Sequence, residues 1–248
     1  MVKMTFTDKV AIVTGGAQGI GKSYCLELLK EGMKICLCDV SENAAEDFIK
    51  KLPENLKENI FFQKCDVTSF NDFKDAFDKT IERFGQINLV VNNAGIMNEQ
   101  EWKKTIEVNM IGVIHGIQLA FLYMGTDNGG SGGDVINTSS RMGFKSGPFT
   151  PVYCATKYAV IGLTKSYGSD YHMKKTGIKV NAICPGPVNT YITQSSVSNS
   201  LNDAEQKRFL VSKTFIEPDE LGKALIKILK DGGNGSLLRV DELGLQYV

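Results

Sequence analysis

The sequence is short of the features that mark several classes of protein. It has no net charge, because 28 Lys and Arg residues balance 28 Asp and Glu residues. A neutral chain gives no electrostatic reason to expect nucleic acid or an anionic membrane as its main partner. No run of consecutive apolar residues reaches the roughly 18 of a membrane span, so we expect no membrane association. Residues 1–9 are polar and lead straight into a strand, so we expect no signal peptide.

Metal-binding and disulfide patterns are also missing. The six cysteines include no CxxC pair, and only two histidines could complement them as ligands. A structural zinc site needs four clustered ligands, so we predict no metal site. Most of the cysteines lie inside apolar segments, where a free thiol behaves as a small hydrophobic side chain. We therefore expect reduced core cysteines and a cytoplasmic location.

What the chain does have is an alternation of short apolar runs with longer amphipathic stretches. The runs are rich in Val and Ile and predict buried strands over 9–14, 33–39, 60–66, 87–92, 134–139 and 178–184. Helices are predicted between them, over 20–32, 44–51, 69–85, 101–123, 152–174 and 218–230. This order predicts an α/β chain, a single-domain Rossmann fold spanning 1–248, with a doubly wound parallel sheet and helices on both faces.

Two segments are typical of loops. Residues 128–133 are mostly glycine and predict a surface turn before a strand. Residues 193–202 are rich in Ser and Asn and follow a strand end, so they form either a mobile lid or a plain loop. We expect a substrate loop at about 191–213.

A glycine-rich turn joins the first predicted strand to the first predicted helix. It reads TGGAQGIG over 14–21, with a GxxxGxG spacing from Gly15 through Gly19 to Gly21. Such glycines allow a tight turn and a close approach to a pyrophosphate, which the helix N-terminus attracts. Glycines also serve bare turns, but the strand before and the helix after favour a dinucleotide site.

Asp39 ends the second predicted strand, where a carboxylate can accept hydrogen bonds from ribose hydroxyls. It would repel a 2′-phosphate, and no Arg or Lys lies at 37–41 to hold one, so NAD is favoured over NADP. The alternative role for Asp39 is to cap the helix that begins near Ser41.

Tyr153 and Lys157 lie four residues apart on a predicted helix and share one face. A phenol titrates near pH 10, and a neighbouring ammonium group, helped by a nicotinamide's positive charge, would lower that pKa. Tyr153 could then exchange a proton with an alcohol while hydride moves. The pair alone also occurs by chance.

Polar residues follow other predicted strands. Ser139 and Ser140 end the fifth strand, at the edge where open α/β sheets bind ligands. There a serine could bond the substrate oxygen. Asn109 lies inside an apolar helix, where an amide needs hydrogen-bond partners. It is either a core amide whose hydrogen bonds are satisfied, or a residue that holds a bent helix or a water of a proton relay.

These motifs together carry a resemblance. TGGAQGIG, NNAG, the serine, YCATK and CPGPVNT resemble the short-chain dehydrogenase/reductase superfamily over essentially the whole chain. Within it, NNAGIMNEQEWKKT, PVYCATK and NAICPGPVNT are similar to 15-hydroxyprostaglandin dehydrogenases and insect-type alcohol dehydrogenases. The resemblance implies a catalytic tetrad of Asn109, Ser140, Tyr153 and Lys157, and adenine and nicotinamide contacts at 66–67 and 188–190.

The predicted site residues form two groups, those that bind the cofactor and those that bind the substrate. Those predicted to bind the cofactor NAD are Gly15, Ala17, Gln18, Gly19, Ile20, Gly21, Asp39, Val40, Asp66, Val67, Asn93, Ala94, Gly95, Tyr153, Lys157, Pro185, Gly186, Val188 and Thr190. Those predicted to bind substrate are Ser140, Thr150 and Tyr153. Thr150 replaces a glutamine of the prostaglandin dehydrogenases, which weakens that substrate assignment. Flanking apolar residues favour a hydrophobic substrate: Met142, Phe144, Phe149, Tyr191 and Ile192.

We predict oxidation of a secondary, hydrophobic or lipid-like alcohol with NAD, or the reverse with NADH. The alternatives are an NADPH-dependent carbonyl reductase of the same fold, which Asp39 disfavours, and a catalytically idle dinucleotide-binding protein. The resemblance also implies a homodimer or homotetramer formed through the helices at 101–123 and 152–174.

Overall fold

The computed structural model describes residues 6–248, and within them eight strands form one sheet. The strands are β1 Val10–Thr14, β2 Lys34–Asp39, β3 Ile60–Lys64, β4 Leu89–Asn92, β5 Gly133–Thr138, β6 Ile178–Pro185, β7 Leu237–Asp241 and β8 Gly244–Tyr247. Their order is β3-β2-β1-β4-β5-β6-β7-β8. All pairs are parallel except β7 with β8.

Helices connect the strands in the described chain. They are α1 Gly19–Lys30, α2 Glu42–Lys50, α3 Glu54–Lys57, α4 Phe70–Phe84, α5 Trp102–Ile106, α6 Gly112–Met124, α7 Pro151–Tyr167, α8 Asp170–Thr176, α9 Tyr191–Ser195, α10 Asp203–Val211 and α11 Pro218–Asp231. One core packs α1, α2 and α11 on one face of the sheet, and a second packs α4, α6 and α7 on the other. The doubly wound sheet with helices on both faces is therefore confirmed.

The central strands are apolar because they are covered on both faces. Every residue of β1 and β4 is buried. The chain winds outward from β1 to β3 and then returns to β4 beside β1, so the winding direction reverses between β1 and β4. In open α/β sheets this reversal leaves a crevice at the carboxyl ends of the strands, which positions a ligand site.

Several element boundaries differ from the sequence prediction. The helix predicted over 152–174 is two helices, α7 and α8. The chain turns at Gly168, where a Cβ atom would lie only 2.5 Å from backbone atoms of Gly235 and Val180. The loop predicted over 193–202 begins as the short helix α9. Strands β7 and β8 and helix α10 were not predicted. Residues 1–5 of the polar N-terminal segment lie outside the described residues.

The helix predicted over 101–123 is continuous but irregular. A π-helical turn, Glu107–Ile111, joins α5 to α6. The whole stretch Trp102–Met124 is long and apolar enough, by length and composition, to cross a membrane, although half of its most apolar window (50%) is buried. Its buried residues, such as Val113 and Ile117, belong to the core that packs α4, α6 and α7 against one face of the sheet. This packing is that of the core helix of a globular fold.

Candidate active site

A cavity of about 1190 Å³ opens at the carboxyl edge of the sheet, beside the point where the winding reverses. It is lined by eighteen of the residues predicted from the sequence: Gly15, Gln18, Gly19, Ile20, Asp39, Val40, Asp66, Val67, Asn93, Ala94, Gly95, Ser140, Tyr153, Lys157, Pro185, Gly186, Val188 and Thr190. The fold thus brings residues from six strand ends to one cavity. Four other predicted residues do not line it: Ala17, Gly21, Asn109 and Thr150.

The glycine turn is built for close approach. Gly15 and Gly19 have φ angles of +62° and +55°, which side chains rarely adopt. Gly21 lies behind the turn, where a Cβ atom would sit 2.0 Å from the Gly15 carbonyl oxygen and 2.6 Å from Asn93 Nδ2. Gly21 is therefore required by packing of helix α1 against the turn rather than by contact with the cavity.

Asp39 ties the turn to the end of β2. Its Oδ2 accepts a hydrogen bond from the Ala17 N–H at 3.0 Å, and its Oδ1 accepts one from the Ser41 N–H at 3.0 Å. The carboxylate is buried yet lines the cavity. Asp39 therefore orders the chain just before α2 and also lines the cavity, where the predicted contact with a ribose is sterically open to it.

Asn93 joins the ends of the strands on either side of the crevice. Its Nδ2 donates to the carbonyl oxygens of Thr14, at 3.0 Å, and Gly15, at 3.2 Å. Its Oδ1 accepts a hydrogen bond from the Thr138 hydroxyl at 3.3 Å. This amide fixes the glycine turn against β4 and β5, so its role is to shape the cavity wall.

Tyr153 and Lys157 lie on adjacent turns of α7 and face the cavity together. Lys157 Nζ lies 5.6 Å from the centre of the Tyr153 ring and donates a hydrogen bond to the Thr138 carbonyl oxygen at 2.9 Å. Ser140 follows β5, and its Oγ accepts a hydrogen bond from the Met142 N–H at 3.1 Å. Its hydroxyl is also near enough to Tyr153 to lower the pKa of that phenol. A phenol, a hydroxyl and an amine therefore line the same cavity.

Burial dominates the ionisation of both groups on α7. It raises the pKa of Tyr153 to about 12, against a smaller lowering by the Ser140 hydroxyl. It lowers the pKa of Lys157 to about 8, so the ammonium form still predominates at pH 7. The protein's own groups thus favour the protonated phenol, whereas the lowered pKa predicted from the sequence also relies on the positive charge of a nicotinamide. Desolvation of the phenolate is the physical reason, and further positive charge is needed to offset it.

Asn109 lies in the π-helical turn and is fully buried behind the cavity. Its Oδ1 accepts from the Ile96 N–H at 2.8 Å, while its Nδ2 donates to the Ile96 carbonyl, also at 2.8 Å, and to Thr156 Oγ1 at 3.2 Å. The side chain therefore connects the loop after β4 to α7. Of the roles weighed for Asn109, this geometry shows a satisfied amide that holds an irregular helix.

Thr150 is buried away from the cavity, with its hydroxyl 4.0 Å from Cys154 Sγ. Of the predicted apolar flank, Met142, Tyr191 and Ile192 line the cavity. Among the other lining residues, Met97 was not singled out in the sequence. Gln206, Phe209, Leu210 and Lys213 fall within the substrate loop predicted at about 191–213, although most of that part of the chain is helix α10.

The cavity fits a dinucleotide. Helix α1 begins at Gly19 with no side-chain cap and no acidic residue in its first turn, so its leading N–H groups are left for an anion. Gly15, Gly19 and the helix terminus would hold the pyrophosphate, and Asp39 would face the adenosine ribose. Lys157 and Tyr153 would lie on the nicotinamide side.

Comparison with known proteins agrees with this geometry. Residues 9–201 match the family model described as short chain dehydrogenase. Human 15-hydroxyprostaglandin dehydrogenase [NAD(+)] is 36% identical over 245 residues, covering 96% of this chain and 92% of its own. Alcohol dehydrogenase 1 of Ceratitis cosyra is 28% identical over 94% of this chain and 92% of its own. The crystal structure of levodione reductase has a TM-score of 0.81 at 27% identity, covering 95% of this chain and 97% of its own.

Proposed function

The chain belongs to the short chain dehydrogenase family, and on that premise we propose that it oxidises a secondary, hydrophobic alcohol to a ketone with NAD, or catalyses the reverse reaction with NADH. As a member of the family it is an oxidoreductase of CH–OH groups that binds a nicotinamide dinucleotide. One observation carries the proposal. Tyr153, Ser140 and Lys157 meet in the same cavity as the glycine turn and Asp39.

Tyr153, Ser140 and Lys157 have different roles in the proposed reaction. Tyr153 Oη takes the hydroxyl proton of the alcohol as the carbon-bound hydrogen leaves with its electron pair. A bound nicotinamide ring supplies the acceptor for that hydride and, in its oxidised form, a positive charge. Ser140 donates a hydrogen bond to the substrate oxygen, and Lys157 stabilises the phenolate form of Tyr153.

The cavity wall supports a hydrophobic substrate. Five apolar side chains line the cavity, three of them from α9 and α10: Met97, Met142, Ile192, Phe209 and Leu210. Apolar walls with a few converging polar groups are typical of sites for apolar small molecules. The name of the human relative, a 15-hydroxyprostaglandin dehydrogenase, supports a lipid-like alcohol in the same sense.

Replacing Tyr153 by Phe removes the proton acceptor while keeping the ring. We expect turnover of a hydrophobic secondary alcohol with NAD, followed as NADH absorbance, to fall by about 10²-fold or more. The rate of alcohol oxidation by the wild type should rise with pH, because burial raises the pKa of Tyr153 and oxidation needs its phenolate form.

Tyr171→Phe is the matched control, because Tyr171 is 71% exposed on α8. It should keep wild-type turnover. A Tyr153→Phe protein with more than half of that turnover would contradict the mechanism. Binding of NADH without turnover of any alcohol would instead favour the idle dinucleotide-binding alternative.

Cofactor choice depends on Asp39. Its buried carboxylate supports NAD, because a 2′-phosphate would approach a negative charge in a poorly solvated place. In Asp39→Asn, the ratio of the NADPH to the NADH dissociation constant should fall about tenfold, measured by cofactor fluorescence. Asp47→Asn removes the same charge from an exposed position on α2 and should leave the ratio unchanged. A wild type that binds NADPH as tightly as NADH would overturn the assignment.

We also propose a homodimer, or a tetramer built from it, through α6 and α7. Leu122 on α6 and Tyr158 on α7 are 52% and 47% exposed. Gly162 lies on the exposed side of α7 with nothing within 4 Å, although alanine would favour the helix by about 1 kcal/mol. A second copy packed closely against α7 would account for these three residues.

Sedimentation equilibrium tests the assembly. Tyr158→Glu should reduce the mass to that of one chain, because it buries a charge in the interface. Leu243→Glu changes a residue that is 80% exposed in the turn between β7 and β8, and should keep the wild-type mass. A wild type with the mass of one chain would contradict the assembly.

A further inference from the structure

Glu99 lies in the loop between β4 and α5, and its side chain is buried. Both carboxylate oxygens accept hydrogen bonds from backbone groups of α7. Oε2 accepts from the Val152 N–H at 3.0 Å, and Oε1 accepts from the Tyr153 N–H at 2.9 Å. A buried carboxylate thus holds the main chain of the residue that carries the phenol.

Helix α7 needs this partner because its own residues leave its start uncapped. Thr150 occupies the cap position without a side-chain cap hydrogen bond, and Pro151 has no N–H. The N–H groups of Val152 and Tyr153 would otherwise be unpaired inside the protein, which costs about 1–3 kcal/mol each. A carboxylate there also complements the positive end of the helix dipole.

The same loop contacts the cavity wall from the opposite side. The Glu99 N–H donates to the Asn199 carbonyl at 2.8 Å, and Gln100 Nε2 donates to the Ser198 carbonyl at 3.2 Å. Asn199 lines the cavity, in the segment that follows α9. Glu99 is therefore bonded both to the start of the catalytic helix and to the wall that faces it.

We propose that Glu99 is a positioning residue that fixes the start of α7, and hence the Tyr153 phenol, relative to Ser140 and to the cavity wall around Asn199. Its link to turnover rests on the proposed function. Its link to the helix start does not. Because proton transfer requires hydrogen-bond contact, a shift of about 1 Å in the phenol can cost about 10²-fold in rate.

Steady-state kinetics with Glu99→Gln and Glu99→Ala test the link to turnover. Gln keeps one acceptor oxygen and the size of Glu, so kcat should fall about tenfold. Ala removes both acceptors, so kcat should fall about 10²-fold. The NADH dissociation constant should stay within twofold of wild type in both variants, because Glu99 does not line the cavity. Glu46→Gln, an exposed carboxylate on α2, is the matched control and should leave kcat unchanged.

Amide hydrogen exchange tests the geometry without any substrate. The N–H groups of Val152 and Tyr153 should exchange at least tenfold faster in Glu99→Ala, while that of Val160, farther along α7, keeps its protection. If Glu99→Ala does not fold, Glu99→Gln should show the faster exchange at one or both amides.

Together the two experiments distinguish a positioning role of Glu99 from the alternatives. Faster exchange at these amides, with lower kcat and unchanged NADH affinity, supports the positioning role. Turnover within twofold of wild type in both variants overturns it, as does a loss of NADH affinity that accounts for the whole effect. Should the wild type turn over no alcohol, the proposed function fails and the exchange experiment decides alone, since unchanged protection overturns the role of Glu99.

Discussion

Burial of an acid and a base side by side is the constraint on which the site depends. Tyr153 and Lys157 lie on adjacent turns of α7 against the carboxyl edge of the sheet, and both are more than nine-tenths buried. Burial favours the uncharged form of each, so the pKa of Tyr153 rises to about 12 while that of Lys157 falls to about 8. Proton exchange near neutrality therefore needs positive charge in the cavity beyond what the protein holds there. A dinucleotide with a pyridinium ring would supply it.

The surrounding residues keep that acid–base pair in one place. Asn93 joins the glycine turn to the ends of β4 and β5, and Asn109 joins the following loop to α7. Lys157 is bonded to the carbonyl of Thr138 at the end of β5. Each of these side chains bonds at least one backbone group of a segment distant in sequence. Hydrogen bonds of this kind are well suited to fixing geometry, because the groups they satisfy would be costly to leave unpaired.

Sequence reasoning succeeded where a residue's role follows from its place at a strand end. Gly15, Asp39, Asn93 and Ser140 were assigned to one edge because parallel strands end together, and all four line the cavity. It failed where the role depends on packing between distant segments. Gly21 was assigned to the cofactor, yet it makes room for the Gly15 carbonyl behind the turn.

Other features were not predicted because they also depend on the tertiary fold. The sequence predicted a substrate loop at about 191–213, but not that part of this segment is the helix α10 that lines the cavity. No local pattern shows how far burial raises the pKa of Tyr153. Strand β7 escaped detection because Arg239 interrupts its apolar run, and β8 because it is exposed along its length at the edge of the sheet. Such a strand lacks the continuous apolar run that identified the central ones.

The most direct test of the central claim is an ultraviolet difference titration of phenolate formation, wild type minus Tyr153→Phe, with and without saturating NAD. We predict that the Tyr153 phenolate forms only at strongly alkaline pH in the protein alone, and at least one pH unit lower with NAD bound. A titration curve that NAD leaves unchanged would contradict the account.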